Sequence, residues 1–119
     1  MASASEMIQV SLVGEAIDDG PALVFVADEQ MKYVAVNRLA AQVLGYTRDE
    51  LLGMHVTDVV RTAEASAEYD EMVARGRRTG EAVLTTRDGR ELRFRYRAGE
   101  TQVAKLRFYV SVGFVDSGV

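Results

Sequence analysis

The side chains best suited to chemistry are three tyrosines, one histidine and one nearby carboxylate. Tyr46 or Tyr96, set against Asp58, could polarise a carbonyl and move a proton, as small isomerases do inside an apolar cavity. His55 is the single histidine and has no evident partner to make it a base or a ligand. The chain has no cysteine, so thiol nucleophiles, thiolate metal sites and disulfides are excluded. Gly76-Arg77-Arg78-Thr79-Gly80 lacks the spacing of a phosphate-binding loop. No nucleophile–base pair and no metal-ligating cluster is visible, so the residues point to a protein that is not an enzyme.

Those residues must be held by some frame, and 119 residues suffice for one domain. Apolar residues make up 48% and charged residues 27%, which excludes a disordered chain. No run of about 18 apolar residues is present to cross a membrane, and the start lacks the basic and apolar stretches of a signal peptide. The cytoplasm is therefore the expected location. The net charge of −4 is unevenly spread. Residues 1–71 carry 4 basic and 13 acidic side chains, and residues 72–119 carry 10 and 5. The arginine-rich half reads first as a solvated strand face. Arg93, Arg95 and Arg97 form a basic row, but no exposed aromatic set accompanies it for stacking on bases, so nucleic acid is not an expected partner.

The pattern predicts a helix starting near Ser5, with Met7, Ile8, Val10, Leu12, Val13 and Ile17 spread too widely for a narrow stripe. Asp18-Asp19-Gly20-Pro21 ends it. Leu23–Ala27 and Tyr33–Val36 read as an antiparallel hairpin. Asn37 caps a helix over 38–44 that stops at Gly45. Thr47 and Glu50 have capping-box spacing for the next short helix, and His55 to Val60 forms one more turn. A longer helix is predicted from Glu64 to Arg78, closed by Gly80. Three strands follow: Glu81 to Thr86, Glu91 to Arg97 after the Asp88-Gly89 turn, and Lys105 to Val115 after a loop around Gly99. In the second of these, Leu92, Phe94 and Tyr96 face one side and the arginines the other. In the last, Phe108, Val110, Val112 and Phe114 share a face and are expected inside, opposite Tyr109, Ser111, Gly113 and Val115. The predicted class is α+β: one five-stranded antiparallel sheet with helices packed on one face, and the N-terminal helix flanking it.

Val24-Phe25-Val26-Ala27-Asp28, Tyr33-Val34-Ala35-Val36-Asn37 and Leu44-Gly45-Tyr46-Thr47-Arg48-Asp49-Glu50-Leu51-Leu52-Gly53, followed by Arg87-Asp88-Gly89, resemble the PAS domain family over about residues 18–116. The division implied is a flanking helix over 1–17 and a PAS domain over 18–119. The resemblance implies a sensory role, with a small molecule or cofactor held between sheet and helices, or no ligand and pairing with other domains. Within that family, flavin photosensors of the LOV class carry a cysteine where this chain has Val56, and a glutamine where it has Phe114, so that subtype is excluded. The thioester-chromophore subtype is excluded by the same lack of cysteine. Haem would need a histidine on the long helix, whereas His55 precedes it. A non-covalent FAD site would usually offer a tryptophan or several polar groups to the ring, and the chain has no tryptophan. The cofactor is thus left unknown, with none expected ahead of FAD or haem.

A small apolar or aromatic ligand suits the family resemblance better. Its candidate cavity wall comprises Phe25 and Ala27 from the first strand, with Asn37 at the following cap. Tyr46, Val56 and Val59 would come from the short helices, and Tyr69, Met72 and Val73 from the long one. Phe94, Tyr96, Val110, Val112 and Phe114 would come from the sheet. The three tyrosines would anchor the ligand. The same residues could equally form an ordinary packed core with no cavity. A second role is homodimerisation, through Met7, Ile8, Val10, Leu12, Val13 and Ile17 of the flanking helix against Tyr109 and Val115. Output would pass to a signalling partner in trans or to a domain outside this chain.

Overall fold

The computed structural model describes residues 3–60 and 74–116. Helix α1 (Ala4–Asp18) is followed by β1 (Leu23–Ala27) and β2 (Tyr33–Val36). Three short helices come next: α2 (Arg38–Leu44), α3 (Arg48–Leu51) and α4 (Val56–Val59). The chain closes with β3 (Arg77–Thr85), β4 (Glu91–Val103) and β5 (Leu106–Asp116). The strands form one antiparallel sheet in the order β2-β1-β5-β4-β3.

Local signals set most element ends. Ser3, rather than Ser5, caps α1, with its side chain accepting from the Glu6 N–H. Asn37 caps α2, and Gly45 closes it in the left-handed conformation that lacks penalty only for glycine. Thr47 and Glu50 form the reciprocal capping box of α3. Leu23, Phe25, Leu44, Leu51, Val59, Leu84 and Phe94 make one core between the inner sheet face and the short helices.

Two boundaries differ from the sequence reading. Residues 64–73 of the predicted helix lie outside the described residues; among those described, Ala74 and Arg75 are helical, Gly76 turns the chain at φ 76°, and β3 begins at Arg77, so Arg77 and Arg78 are strand. Nine consecutive pairings with β4, from Arg77↔Gly99 to Thr85↔Glu91, override the local bias there. The loop expected around Gly99 is likewise strand, because β4 runs on to Val103. The chain reverses at Ala104 and Lys105, both at positive φ, a turn that no glycine advertised.

The body of α1 touches little of the domain, but its C-terminal end is pinned. Asp18 Oδ1 accepts from the Arg38 backbone N–H at 3.0 Å and pairs with the Arg48 guanidinium. Chiefly the backbone hydrogen bond from Arg38, then the two guanidinium charges, hold the Asp18 carboxyl below its ordinary 3.8. A lowered folded-state pKa means that the charged form favours folding. That contribution is whole above the unfolded value and is lost as pH falls through the lower folded value. Glu50, held down by the Thr47 backbone N–H and then by Arg87, has the same sign. Urea midpoints measured from about pH 5 down to about pH 2 are expected to fall less steeply for Asp18→Asn than for the wild type. Parallel curves would show that the Asp18 link is absent in solution.

Candidate functional site

The inner faces of β1, β3, β4 and β5 meet α4 around an apolar cavity of about 80 Å³. Phe25 and Ala27 enter from β1, Ala82 and Leu84 from β3, and Phe94, Tyr96 and Ala98 from β4. Val56 and Val60 close the helical side, and Tyr33 stands behind them on β2. Period-two alternation explains the strand residues, since every second side chain of a strand shares a face. The Phe25 ring packs edge-on to Phe94 with centroids 5.6 Å apart, and tilts against Tyr33 at 5.5 Å. Phe94 stacks on Tyr96 at 5.4 Å. Such pairs contribute about 0.5–1.5 kcal/mol each beyond their burial and hold the wall rigid.

Polar groups reach this apolar space at few points. Arg78 extends from β3 and donates from Nε to the Tyr96 hydroxyl at 3.0 Å. Ser111 and Tyr109 approach from β5. Burial, and then the nearby negative charge of Asp58, push the Tyr33 phenol well above its ordinary value, so it stays protonated.

Of the sequence-predicted wall, Phe25, Ala27, Val56, Phe94 and Tyr96 do line this cavity. Val59 is buried in the core beside it. Tyr69, Met72 and Val73 lie outside the described residues. Tyr46 points elsewhere: its ring lies under the Arg87 guanidinium at 5.7 Å, where Arg87 also binds Glu50. Asn37 is fully used by the backbone. Its Nδ2 donates to the Ile17 and Ala22 carbonyls, each at 2.8 Å, and its Oδ1 accepts from the Val24 and Ala40 N–H groups at 3.0 and 3.1 Å. It ties α1, β1 and α2 together and offers nothing to a ligand.

Strand β5 requires a correction. Val110, Val112 and Phe114 face away from the cavity, and Phe114 is 56% exposed. Tyr109, at 2% exposure, and Val115 face inward, so neither is an outer surface that receives α1. The reason is register. Phe25 lies opposite Ser111 and Ala27 opposite Tyr109 on one side of β5, while Phe94 lies opposite Val115 and Tyr96 opposite Gly113 on the other. Directly opposed residues share a face, so the inward Phe25 and Phe94 carry Tyr109, Ser111, Gly113 and Val115 inward with them. The greasier face of β5 is the outer one. Tyr109 and Ser111 were thus missed as lining residues, Ala98 because the strand was ended before it, and Arg78 because it was assigned to a helix; Tyr33, Val60, Ala82 and Leu84 also line the cavity and were not on the predicted wall.

His55 is exposed at the start of α4, and its backbone N–H donates to Asp58 Oδ2 at 2.8 Å. Asp58 is itself exposed and does not line the cavity with Tyr96. Among the described residues no group of three or more His, Cys, Asp or Glu side chains could hold a metal ion. None of their helices is long and apolar enough to cross a membrane.

Comparison with known proteins bears on this arrangement. A family model for the PAS domain matches residues 21–110. A comparison with the curated proteins found no match. Among solved structures, a PAS domain from a two-component sensor histidine kinase superposes with a TM-score of 0.81 at 14% identity, covering 92% of this chain and 98% of that one. The PAS domain of an HTR-like protein from Haloarcula marismortui gives 0.80 at 17% identity, covering 92% and 93%. A PAS domain from Colwellia psychrerythraea gives 0.81 at 15% identity, covering 93% and 99%. Likeness at such identities establishes the fold alone.

Proposed function

The chain belongs to the PAS domain family, and on that premise we propose that it is a cytoplasmic sensory domain that holds a small molecule in its cavity and reports through a homodimer. The observation that carries this reading is the cavity itself, set between the inner sheet face and α4 with a rigid aromatic wall. Its 80 Å³ is about half the ~150 Å³ that admits benzene in an engineered core. That size favours a ligand of a few heavy atoms over flavin or haem. A similar fold in a two-component sensor histidine kinase accords with signalling. Tyr96 is bonded to Arg78, and Asp58 lies outside the wall, so the geometry favours sensing over acid–base catalysis.

The dimer reading rests on what α1 leaves uncovered. None of its residues is buried, and Met7, Ile8, Val10, Leu12 and Val13 are 59% to 73% exposed. The outer sheet face adds Phe114 and the half-buried Val110 and Val112. Apolar surface gathered this way marks an interface. The Asn37 hub joins the base of α1 to β1, so a shift of β1 around a ligand reaches α1 directly. A ligand would favour one of two placements of that helix. The same surfaces would serve a ligand-free dimerisation module.

Native mass spectrometry of the purified chain, beside a denatured sample, tests both parts. The expected result is a dimer carrying an added mass that is lost on denaturation. Leu12→Glu with Val13→Glu is expected to give a folded monomer. A wild-type monomer would sink the dimer, and a wild-type mass with no increment would sink the ligand.

A further inference from the structure

The outer face of the sheet, opposite the cavity, carries an apolar row beside a cationic one. Strand β5 sets Leu106, Phe108, Val110, Val112 and Phe114 along that face, and Arg93, Arg95 and Arg97 stand next to them on β4. Acidic neighbours thin out along the arginine row. Arg93 lies opposite Asp116 and Arg95 opposite Glu81, but Arg97 lies between Val112 and Thr79. Gly99, opposite Val110, adds no side chain, so the face sinks there into a groove lined by Arg97, Val110, Val112, Thr79 and Thr101. Glu100, the one described acid of the groove, is already held by Arg107 at 2.7 Å. Arg97 has no ion pair among the described residues.

The complementary surface is α1. Its 15 residues include no lysine or arginine, and its acids are Glu6, Glu15 and Asp18. Asp18 is committed to Arg38 and Arg48, whereas Glu6 and Glu15 have no ion pair among the described residues. Ile8, Leu12 and Ala16 recur every four residues and so share one side of the helix, with Glu15 at its flank. No residue of α1 is buried, so its own sheet does not cover that side. The lengths also agree. The helix is about 22 Å long at its 15 residues, and the β5 row from Leu106 to Phe114 spans about 27 Å.

We propose that in the homodimer α1 of each copy lies on the outer sheet face of the other, with Ile8, Leu12 and Ala16 over the row of Val110, Val112 and Phe114, and Glu15 turned to the partner's Arg97. This rests on the dimer reading above and names how its two surfaces meet. Each copy gives a helix and receives one, so every contact occurs twice and the pair closes on itself. The apolar rows supply most of the affinity, and the charge pair fixes register and partner surface. A helix-on-helix dimer would instead gather the acids of both α1 helices with no cation between them, which opposes association. The crossed arrangement also has a consequence for signalling. Asn37 ties β1 to the base of α1 within one copy, so a shift of β1 moves a helix that rests on the partner's sheet.

The test is a charge exchange between copies of the full chain, read by sedimentation and native mass spectrometry. Arg97→Glu alone and Glu15→Arg alone each set like charges against one another at both contacts. Each is expected to weaken the dimer by about tenfold or more. Both positions are exposed, so the fold should persist, which circular dichroism checks. An equimolar mixture of the two variants sets opposite charges at both contacts. A mixed dimer, identified by its mass, is therefore expected at an affinity within about threefold of the wild type. Phe114→Ser removes apolar floor and is expected to weaken the dimer with no rescue by Glu15→Arg. Recovery in the double variant Arg97→Glu/Glu15→Arg but not in the mixture would place α1 on its own sheet and overturn the proposal. Dimers that ignore Arg97→Glu and Phe114→Ser, yet are lost on Leu12→Glu with Val13→Glu, would mean helix-on-helix pairing. That result overturns the proposal and leaves the homodimer reading standing. A wild-type chain still monomeric at concentrations on the order of 100 μM overturns both.

Discussion

Replacing Gly113 by alanine is expected to destabilise the fold by about 3 kcal/mol or more. Gly113 is buried at the point where β5 lies between Leu23 of β1 and Tyr96 of β4. A Cβ there would come 2.1 Å from the Arg95 carbonyl oxygen and 2.7 Å from the Tyr96 Cα. Those are backbone atoms of a central strand, so no rotamer change relieves the clash. Either β4 and β5 separate, breaking ladder hydrogen bonds on both sides, or the sheet bends elsewhere. With a denaturant slope of roughly 1–3 kcal/mol per molar urea, the midpoint should fall by about 1–3 M. Gly14, in the middle of α1 with open space around its Cα, is the control. Alanine there is expected to leave the midpoint unchanged or raise it, by up to about 1 kcal/mol from helix propensity. A Gly113→Ala protein that unfolds within about 0.5 kcal/mol of the wild type, the range of neutral surface changes, would show that β5 does not approach β4 this closely.

Asn37→Ala is expected to cost about 2–4 kcal/mol, from a lost cap together with stranded backbone groups. Four hydrogen bonds leave together, to Ile17, Ala22, Val24 and Ala40. The Asn37 side chain is shielded from water, so the Ala22 carbonyl it served is stranded rather than rehydrated. Asn37→Asp separates the two halves of its role. The acceptor bonds to Val24 and Ala40 survive, while a carboxylate oxygen replaces Nδ2 against two carbonyls. It should therefore also destabilise, and by an amount that shrinks as the carboxyl is protonated in acid. Chemical denaturation of both variants at neutral and acidic pH reads this out. The functional consequence is separable, because the bond to Ile17 is the one that reaches α1. A variant stable enough to study should bind cavity ligands normally and yet lose any ligand-dependent change in α1. Equal stability of Asn37→Ala and wild type would remove the hub.

The features that were legible beforehand are local. Asn37 as a cap, Gly45 as a stop and the Thr47–Glu50 box each depend on residues three or four positions apart, and the structure has all three. The two hairpin strands, Leu23–Ala27 and Tyr33–Val36, came out at their predicted limits. The inner and outer sides of Leu92 to Arg97 were also readable, because arginines alternate with apolar residues there and only one face can be wet. Phe25, Ala27, Val56, Phe94 and Tyr96, which the family resemblance put on a candidate cavity wall, do line the cavity.

In β5 the same reasoning chose the wrong side, because both faces carry apolar residues and alternation alone cannot say which is buried. Composition determined a cysteine-free, foldable chain, the order of its periodic segments the α+β class, local spacing its caps and most strand limits, and the motifs its resemblance to PAS domains. The inward turn of Tyr109 and Ser111, the outward turn of Phe114, and the entry of Arg78 into the cavity were decided only by pairing between strands far apart in the chain. A side chain's face follows the register it shares with its neighbours, and a shift of one residue reverses it, so that information exists only in the assembled sheet.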